Sequence, residues 1–210
     1  MNKKRKKDLI IIIPGVKTLG SLNPGFREFI LNFTKVTRLF RPVYYDYTRD
    51  WVKKLRKKGK KVIILHWGRN MTYFSKFSAQ NKLKNLIKKY KYRYNIKIIG
   101  ISMGGKIAFD TTKHLNEEDI KKLILVCSVG IPDKAEVNFP LVNLYSNSDE
   151  LARIASELIS PLDKSLEIIG RNIKNILLSL DHYDFCVNNK IPIGKFKGKT
   201  VIEVIESHLK

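Results

Sequence analysis

The stretch Ile98-Ile99-Gly100-Ile101-Ser102-Met103-Gly104-Gly105-Lys106-Ile107-Ala108 decides the fold of this 210-residue chain. Its first residues belong to an apolar run typical of a buried strand, and the residues from Gly105 onward follow a helical pattern. The serine between them lies in a Gly-x-Ser-x-Gly arrangement, in which the glycines relieve the crowding of a sharp turn. A serine at the apex of such a turn is exposed at a helix N-terminus, where backbone N–H groups stabilise a developing oxyanion. The alternative is a glycine-rich turn whose serine has no catalytic role.

Apolar runs of the strand type alternate with helical patterns along the rest of the chain. The runs are continuous, which is the pattern of strands that are covered on both faces. This alternation predicts an α/β fold, a three-layer α/β/α sandwich with a mostly parallel sheet of about six strands. The predicted strands are Leu9–Ile13, Val62–Leu65, Ile96–Ile101, Leu123–Cys127, Val142–Tyr145 and Ile176–Leu180, and the predicted helices cover 24–38, 50–58, 79–93, 105–115, 149–159 and 200–209. Residues 42–47 fit either a short strand or an extended loop.

Length and composition place the chain among single-domain globular proteins. With 43% hydrophobic residues, 12 Gly and 7 Pro, it is neither collagen-like nor wholly disordered. We expect a basic tail at residues 1–7 and a single domain at 8–210. The apolar runs are far shorter than the roughly 18 residues of a membrane span, and no signal-peptide cleavage pattern follows the first of them, so we expect a cytoplasmic protein. Two cysteines, Cys127 and Cys186, exclude a disulfide scaffold.

The formal net charge of +22 comes entirely from the first half of the chain. Residues 1–100 carry 27 basic and 4 acidic side chains, whereas residues 101–210 carry 14 and 15. Basic clusters precede the predicted strands, so a parallel sheet gathers them at the edge away from Ser102. These clusters are Lys3–Lys7, Lys53–Lys61, Lys88–Lys97 and Lys121-Lys122. We expect this basic face to contact polyanions or anionic membranes weakly, although a solvated face without a partner fits the same pattern.

A serine nucleophile needs a general base and an acidic group that orients the base. His182 follows the last predicted strand, at the sheet edge where Ser102 also lies, and is the predicted base. Asp149 follows the preceding predicted strand and is the predicted acid, although an aspartate there also fits an ordinary helix N-cap. Asp133, in a turn one strand earlier, is the rival acid. Asp181 is adjacent to the histidine, but in an extended chain its side chain would point away from it.

The order Ser102, Asp149, His182, each after a successive parallel strand, and the elbow 100–105 together resemble the α/β-hydrolase superfamily, particularly its compact lipase and esterase members. The resemblance covers nearly the whole chain. It implies a minimal α/β-hydrolase fold without a large cap domain, and a serine hydrolase that cleaves a carboxylic ester or thioester. The enzyme would need no cofactor, and its substrate would be a small acyl ester.

The loop after the first predicted strand bears on the oxyanion hole. Pro14-Gly15-Val16 is similar to the loop that supplies one oxyanion donor in that superfamily, so the resemblance implies the backbone N–H groups of Val16 and Met103 as the two donors. The sequence departs from the family pattern in having Pro14-Gly15 where a His-Gly pair is usual. It also lacks a counterpart to the family's first two antiparallel strands.

Apolar and aromatic residues near the same sheet edge are candidates for the substrate pocket, and each of them could equally be a core residue. They are Trp67, Met71, Tyr73, Phe74, Tyr183 and Phe185. No phosphate-binding loop, dinucleotide fingerprint or metal-ligand spacing appears, so we expect no nucleotide and no metal. Two other functions remain open: a catalytically inactive hydrolase-fold binding protein, and a polyanion- or nucleic-acid-binding protein that uses the basic N-terminal half.

Overall fold

The computed structural model describes residues 6–15, 47–68, 73–159, 166–182, 184–185 and 190–209. Within these residues six parallel strands form one sheet. They are β1 (Lys7–Ile13), β2 (Lys61–Ile64), β3 (Tyr94–Ile101), β4 (Lys122–Val126), β5 (Leu141–Tyr145) and β6 (Ile173–Leu177). The helices are α1 (Tyr47–Lys57), α2 (Tyr73–Tyr90), α3 (Met103–Thr112), α4 (Glu150–Ile159) and α5 (Val201–His208). The predicted α/β architecture is confirmed.

Two hydrophobic clusters, one on each face of the sheet, account for the continuous apolar runs. Ile10 and Ile12 of β1 pack in the cluster that contains residues of α1 and α5. Leu9, Ile11 and Ile13 pack in the other cluster, with residues of α2, α3 and α4. Because both faces are covered, apolar residues occupy most successive positions of the strand interior, and the period-two alternation of a half-exposed strand is missing.

The strand order is β2-β1-β3-β4-β5-β6, so the order reverses between β1 and β3. In open parallel sheets the connections on either side of such a reversal leave on opposite faces, which opens a crevice at the carboxyl ends of the two strands. Ser102 directly follows β3, and Pro14-Gly15 directly follow β1. The topology therefore places the predicted nucleophile at the position where this architecture forms ligand sites.

Most predicted elements match the structure to within a few residues, but the last strand lies earlier in the chain than predicted. The run Ile176–Leu180 was the prediction, whereas the strand that pairs with β5 is Ile173–Leu177. Asn175 is tolerated inside this strand because its amide donates to the Ile168 carbonyl at 2.7 Å and accepts from the Ile168 N–H at 3.1 Å. A search for apolar runs cannot anticipate such a partner.

Helix α2 begins at Tyr73, six residues before the predicted start at residue 79. The prediction missed the first turns because their apolar residues Phe74 and Phe77 are exposed and do not continue the buried stripe of the helix. The predicted helix at 24–38 and residues 42–46 lie outside the described residues. In the described segments, no helix combines the length and apolar character that crossing a membrane requires.

Lysines are concentrated where the strands begin, at the edge of the sheet opposite Ser102. Several of them have intramolecular partners: Lys58 pairs with Glu206, Lys91 with Asp119, and Lys60 and Lys97 with Asp8. Burial, and then the neighbouring Lys97 and Lys174, lower the pKa of Lys122. The basic face is therefore crowded with positive charge and partly neutralised from within, and its contact with polyanions stays a prediction.

Asp8 binds two of the lysines at this edge of the sheet, and the pH dependence of stability tests its role. Its carboxylate accepts hydrogen bonds from Lys60 at 2.7 Å and from Lys97 at 3.0 Å, and the Lys97 ammonium also donates to the Leu209 carbonyl. Burial acts to raise the Asp8 pKa, but the hydrogen bonds and charges of the two lysines outweigh it, and the net pKa is lowered. A carboxyl whose pKa is lowered by folding stabilises the fold above its unfolded pKa of about 4, and this stabilisation is lost as pH falls through the folded value.

We therefore expect Asp8→Asn to reduce the free energy of unfolding at pH 7 by about 1–3 kcal/mol, because Lys97 would keep its buried charge without a carboxylate. The difference from wild type should shrink as the pH is lowered below about 4. Urea unfolding at several pH values measures both effects. Glu157→Gln is the control, since its exposed pair with Arg153 contributes only about 0.5 kcal/mol. Equal and pH-independent losses in the two variants would contradict the role of Asp8.

Candidate active site

Ser102 occupies a strained turn between β3 and α3. Its backbone has φ 52° and ψ −123°, a combination that costs an L-residue about 1–3 kcal/mol and persists only where the surroundings enforce it. The Ser102 N–H donates to the Val126 carbonyl at 2.9 Å, and its carbonyl accepts from the Gly105 N–H at 2.9 Å. The turn is thus fixed to the neighbouring strand on one side and to the first turn of α3 on the other.

Close approach of backbones explains the glycines around this turn. A Cβ on Gly104 would overlap the Ile13 carbonyl and lie 2.6 Å from the Pro14 carbonyl oxygen. A Cβ on Gly100 would lie 2.6 Å from the Cα of Gly105. Side chains at these positions would push α3 away from β1 and β3, so the glycines set the distance between the helix and the sheet.

The loop after β1 lies directly against the serine. A Cβ on Gly15 would be 3.0 Å from the Ser102 Cβ and 3.5 Å from its Oγ. The buried indole of Trp67 donates from Nε1 to the Pro14 carbonyl at 2.9 Å and so holds this loop in place. Of the two proposed oxyanion donors, Met103 is the first residue of α3, and Val16 lies outside the described residues.

His182 and Asp149 meet at the same edge of the sheet. Nδ1 of His182 lies 2.9 Å from Oδ2 and 3.1 Å from Oδ1 of Asp149. A carboxylate only accepts hydrogen bonds, so in neutral His182 the proton is on Nδ1 and the lone pair is on Nε2. Asp149 is 1% exposed, and its Oδ1 also accepts from the Ala152 N–H at 2.8 Å. One carboxylate therefore both caps α4 and orients the imidazole, so the two interpretations of Asp149 are compatible.

Ser146 connects the loop that carries Asp149 with the loop that carries His182, a role that sequence reasoning missed. Its buried hydroxyl oxygen accepts from the Ser148 N–H at 3.2 Å and from the Leu180 N–H at 3.3 Å. The available signal was a serine directly after a buried strand, where a hydroxyl commonly bonds a backbone N–H two residues later. The bond to Leu180 has no signal in the local sequence because the two residues are distant in the chain.

Cys127 is a second residue that sequence reasoning did not assign to the site. It follows β4 with φ 40°, is buried, and its N–H donates to the Leu144 carbonyl at 2.9 Å. Its sulfur lies within 4.8 Å of the ligand atoms of Asp149 and His182. The three residues are far apart in sequence, which is why a search for metal-ligand spacing did not find them; each follows a different parallel strand.

The predicted pocket residues have different environments. Trp67 is buried beneath the Pro14-Gly15 loop, and Phe185 is fully buried in the cluster that includes α5. Phe74 is 83% exposed on α2. Met71, Tyr183 and the side chain of Tyr73 lie outside the described residues. The alternative acid Asp133 accepts the Ile169 N–H with its backbone carbonyl, and Asp181 is exposed in a turn closed by the Asp184 N–H.

Comparison with known families fits this geometry. A sequence profile described as "Alpha/beta hydrolase family" matches residues 43–178, which include Ser102 and Asp149. This chain belongs to the α/β-hydrolase family. The match confirms the resemblance to the α/β-hydrolase superfamily that was based on the elbow and on the order of the three residues. It also confirms the minimal α/β-hydrolase fold. The family assignment makes the protein a hydrolase.

Solved structures similar to this α/β-hydrolase share its fold at low sequence identity. Alpha/beta hydrolase domain-containing protein 10 from mouse has a TM-score of 0.59 and 12% identity, covering 98% of this chain and 89% of the other. The Francisella virulence factor BioJ gives 0.55 and 12%, covering 99% and 76%. Dienelactone hydrolase from Anabaena variabilis gives 0.53 and 9%, covering 97% and 84%. No curated protein sequence matches the chain at significant similarity.

Proposed function

We propose that this α/β-hydrolase cleaves a carboxylic ester or thioester through Ser102, His182 and Asp149, by way of an acyl-enzyme intermediate. The observation that carries the proposal is the contact of 2.9 Å between His182 Nδ1 and the buried Asp149 carboxylate. A carboxylate in that position fixes the tautomer whose Nε2 accepts a proton. The strained turn presents Ser102 at the same edge of the sheet.

Each residue of the proposed triad has one chemical task. Ser102 Oγ attacks the acyl carbon while His182 Nε2 takes the hydroxyl proton, and the same nitrogen returns that proton to the leaving alcohol or thiol. The Asp149 carboxylate stabilises the imidazolium that forms between these transfers, and its burial strengthens that attraction. The backbone N–H groups of Met103 and Val16 are the proposed donors to the developing oxyanion, and a water molecule then repeats the two proton transfers to release the acid.

One of the similar structures is named as a dienelactone hydrolase, and a lactone is a cyclic ester. That likeness supports an ester as the class of bond that is cleaved. The contrasting candidate, an inactive hydrolase-fold binding protein, keeps the fold and lacks turnover.

A fluorophosphonate probe tests the proposal directly, because it forms a covalent bond only with an activated serine. We expect stoichiometric labelling, with the modified peptide containing Ser102, and at least about a hundredfold slower labelling of His182→Ala, which lacks the base. Ser207→Ala, which changes a partly exposed serine on α5, is the control and should be labelled like wild type. A folded wild-type protein that resists the probe and turns over no p-nitrophenyl ester from acetate to laurate would favour the inactive binding protein.

A further inference from the structure

Cys127, Asp149 and His182 bring three metal-binding side chains together at the carboxyl edge of the sheet. Their ligand atoms, namely a thiol sulfur, a carboxylate oxygen and an imidazole nitrogen, all lie within 4.8 Å of one another. We propose that these three residues form a zinc site, and that zinc bound there inhibits the hydrolase. The inhibition rests on the proposed triad, whereas the binding of the metal does not.

The ligand atoms lie within 4.8 Å of one another and have to shift by up to about 1 Å to reach the separations of a tetrahedral zinc site. Bonds of about 2.3 Å to sulfur and about 2.0–2.2 Å to nitrogen and oxygen place neighbouring ligand atoms roughly 3.3–3.8 Å apart. The present distance of 2.9 Å between Nδ1 and Oδ2 must widen by a few tenths of an ångström, while the sulfur moves inward. Three protein ligands then leave the fourth position for water, as in zinc sites that are not purely structural.

The charges of the ligands also suit a divalent ion of this type. A Cys127 thiolate and the Asp149 carboxylate together offset the two positive charges, so the buried cluster is neutral when the metal is bound. Both residues are almost wholly buried, which makes an uncompensated charge there unfavourable. A thiolate and an imidazole select zinc and related thiophilic ions over magnesium and calcium, which prefer oxygen ligands.

The binding step has a defined proton balance, which explains the inhibition. Zn²⁺ displaces the Cys127 thiol proton into solvent and forms the zinc–sulfur bond. It takes the Nδ1 lone pair of His182, so the imidazole proton moves to Nε2 and the ring stays neutral. An Nε2 that carries a proton cannot accept the proton of Ser102. Zinc would therefore leave the fold intact and remove the base.

Cobalt spectroscopy tests the binding independently of any substrate. In the presence of a non-thiol reductant, Co²⁺ added to the full-length protein should produce a thiolate charge-transfer band in the near ultraviolet, and Zn²⁺ should abolish it. The band should persist in Cys186→Ser, whose one remaining thiol is Cys127. It should disappear in Cys127→Ser, and His182→Ala should weaken the affinity by about tenfold or more. A missing band in Cys186→Ser overturns the proposal, even if Cys127→Ser fails to fold.

Ester turnover tests the inhibition, with each variant compared with its own metal-free rate. Zinc should inhibit wild type and Cys186→Ser reversibly, with activity restored by a chelator, and the half-inhibitory concentration should rise about tenfold or more in Cys127→Ser. Equal inhibition of Cys127→Ser would place the inhibitory zinc elsewhere and overturn the proposal. If no ester is turned over but the cobalt band follows Cys127, the metal site stands and the proposed hydrolytic function fails.

Discussion

Ser102→Ala and His182→Ala should each lower kcat for ester hydrolysis by about 10⁴-fold or more. In the proposed mechanism the serine supplies the nucleophile and the histidine moves its proton, so both act in one step. For the same reason the double variant should be scarcely worse than either single variant, because effects within one catalytic unit do not add. Steady-state rates with a soluble p-nitrophenyl ester measure this, and circular dichroism establishes that each variant is folded.

Asp149→Asn isolates the role of the carboxylate. An asparagine side chain caps a helix about as well as aspartate, so the bond to the Ala152 N–H can survive while the negative charge beside His182 is removed. We expect kcat to fall by about 10²–10⁴-fold with little change in stability. Asp133→Asn is the matched comparison and should retain most of its activity. The opposite result, in which Asp133→Asn abolishes turnover and Asp149→Asn does not, would transfer the acid role to Asp133.

Gly104→Ala should have a large effect on the structure near the site. Its Cβ would overlap the Ile13 carbonyl and crowd the Pro14 carbonyl, and both obstacles are backbone atoms that cannot rotate away. We expect a loss of about 3 kcal/mol or more in the free energy of unfolding, and a Tm lower by roughly 10 °C. Activity should fall as well, because α3 must move and carries the Met103 N–H with it.

Gly59→Ala separates this steric effect from backbone strain. Gly59 has φ 72° and nothing within 4 Å of an added Cβ, so alanine there costs only about 1 kcal/mol for its left-handed conformation. Its activity should be unchanged, since the turn after α1 lies at the other edge of the sheet. Thermal unfolding of both variants decides the matter: a Gly104→Ala protein as stable as Gly59→Ala would show that α3 is not held by this close approach.

How well a feature could be predicted depends on how far apart in the sequence the interacting residues lie. The elbow at Ser102 was predictable because glycines, strand and helix occur together within eleven residues. The contact between Asp149 and His182 was predictable because a parallel sheet brings the ends of successive strands to one edge. The position of β6 could not be predicted in this way. It depends on hydrogen bonds between the Asn175 side chain and the Ile168 backbone, and the pattern of apolar residues does not indicate such a pair.

The supporting residues of the site were the hardest to predict. Trp67 is a pocket or core candidate in the sequence, and the structure buries it, but its hydrogen bond to the Pro14 carbonyl joins residues that are 53 positions apart and was not predicted. Cys127 is buried after β4, and its closeness to Asp149 and His182 depends on the turn at φ 40°. Both roles come from loop conformation, which periodicity does not encode.

In the proposed mechanism, the double use of Asp149 makes the start of α4 part of the catalytic apparatus. Helix ends fray more readily than sheets melt, and fraying of this turn would release the Ala152 N–H and draw the carboxylate away from His182. We therefore expect ester turnover to be lost on heating once this single helical turn frays, below the temperature at which the six-stranded sheet comes apart.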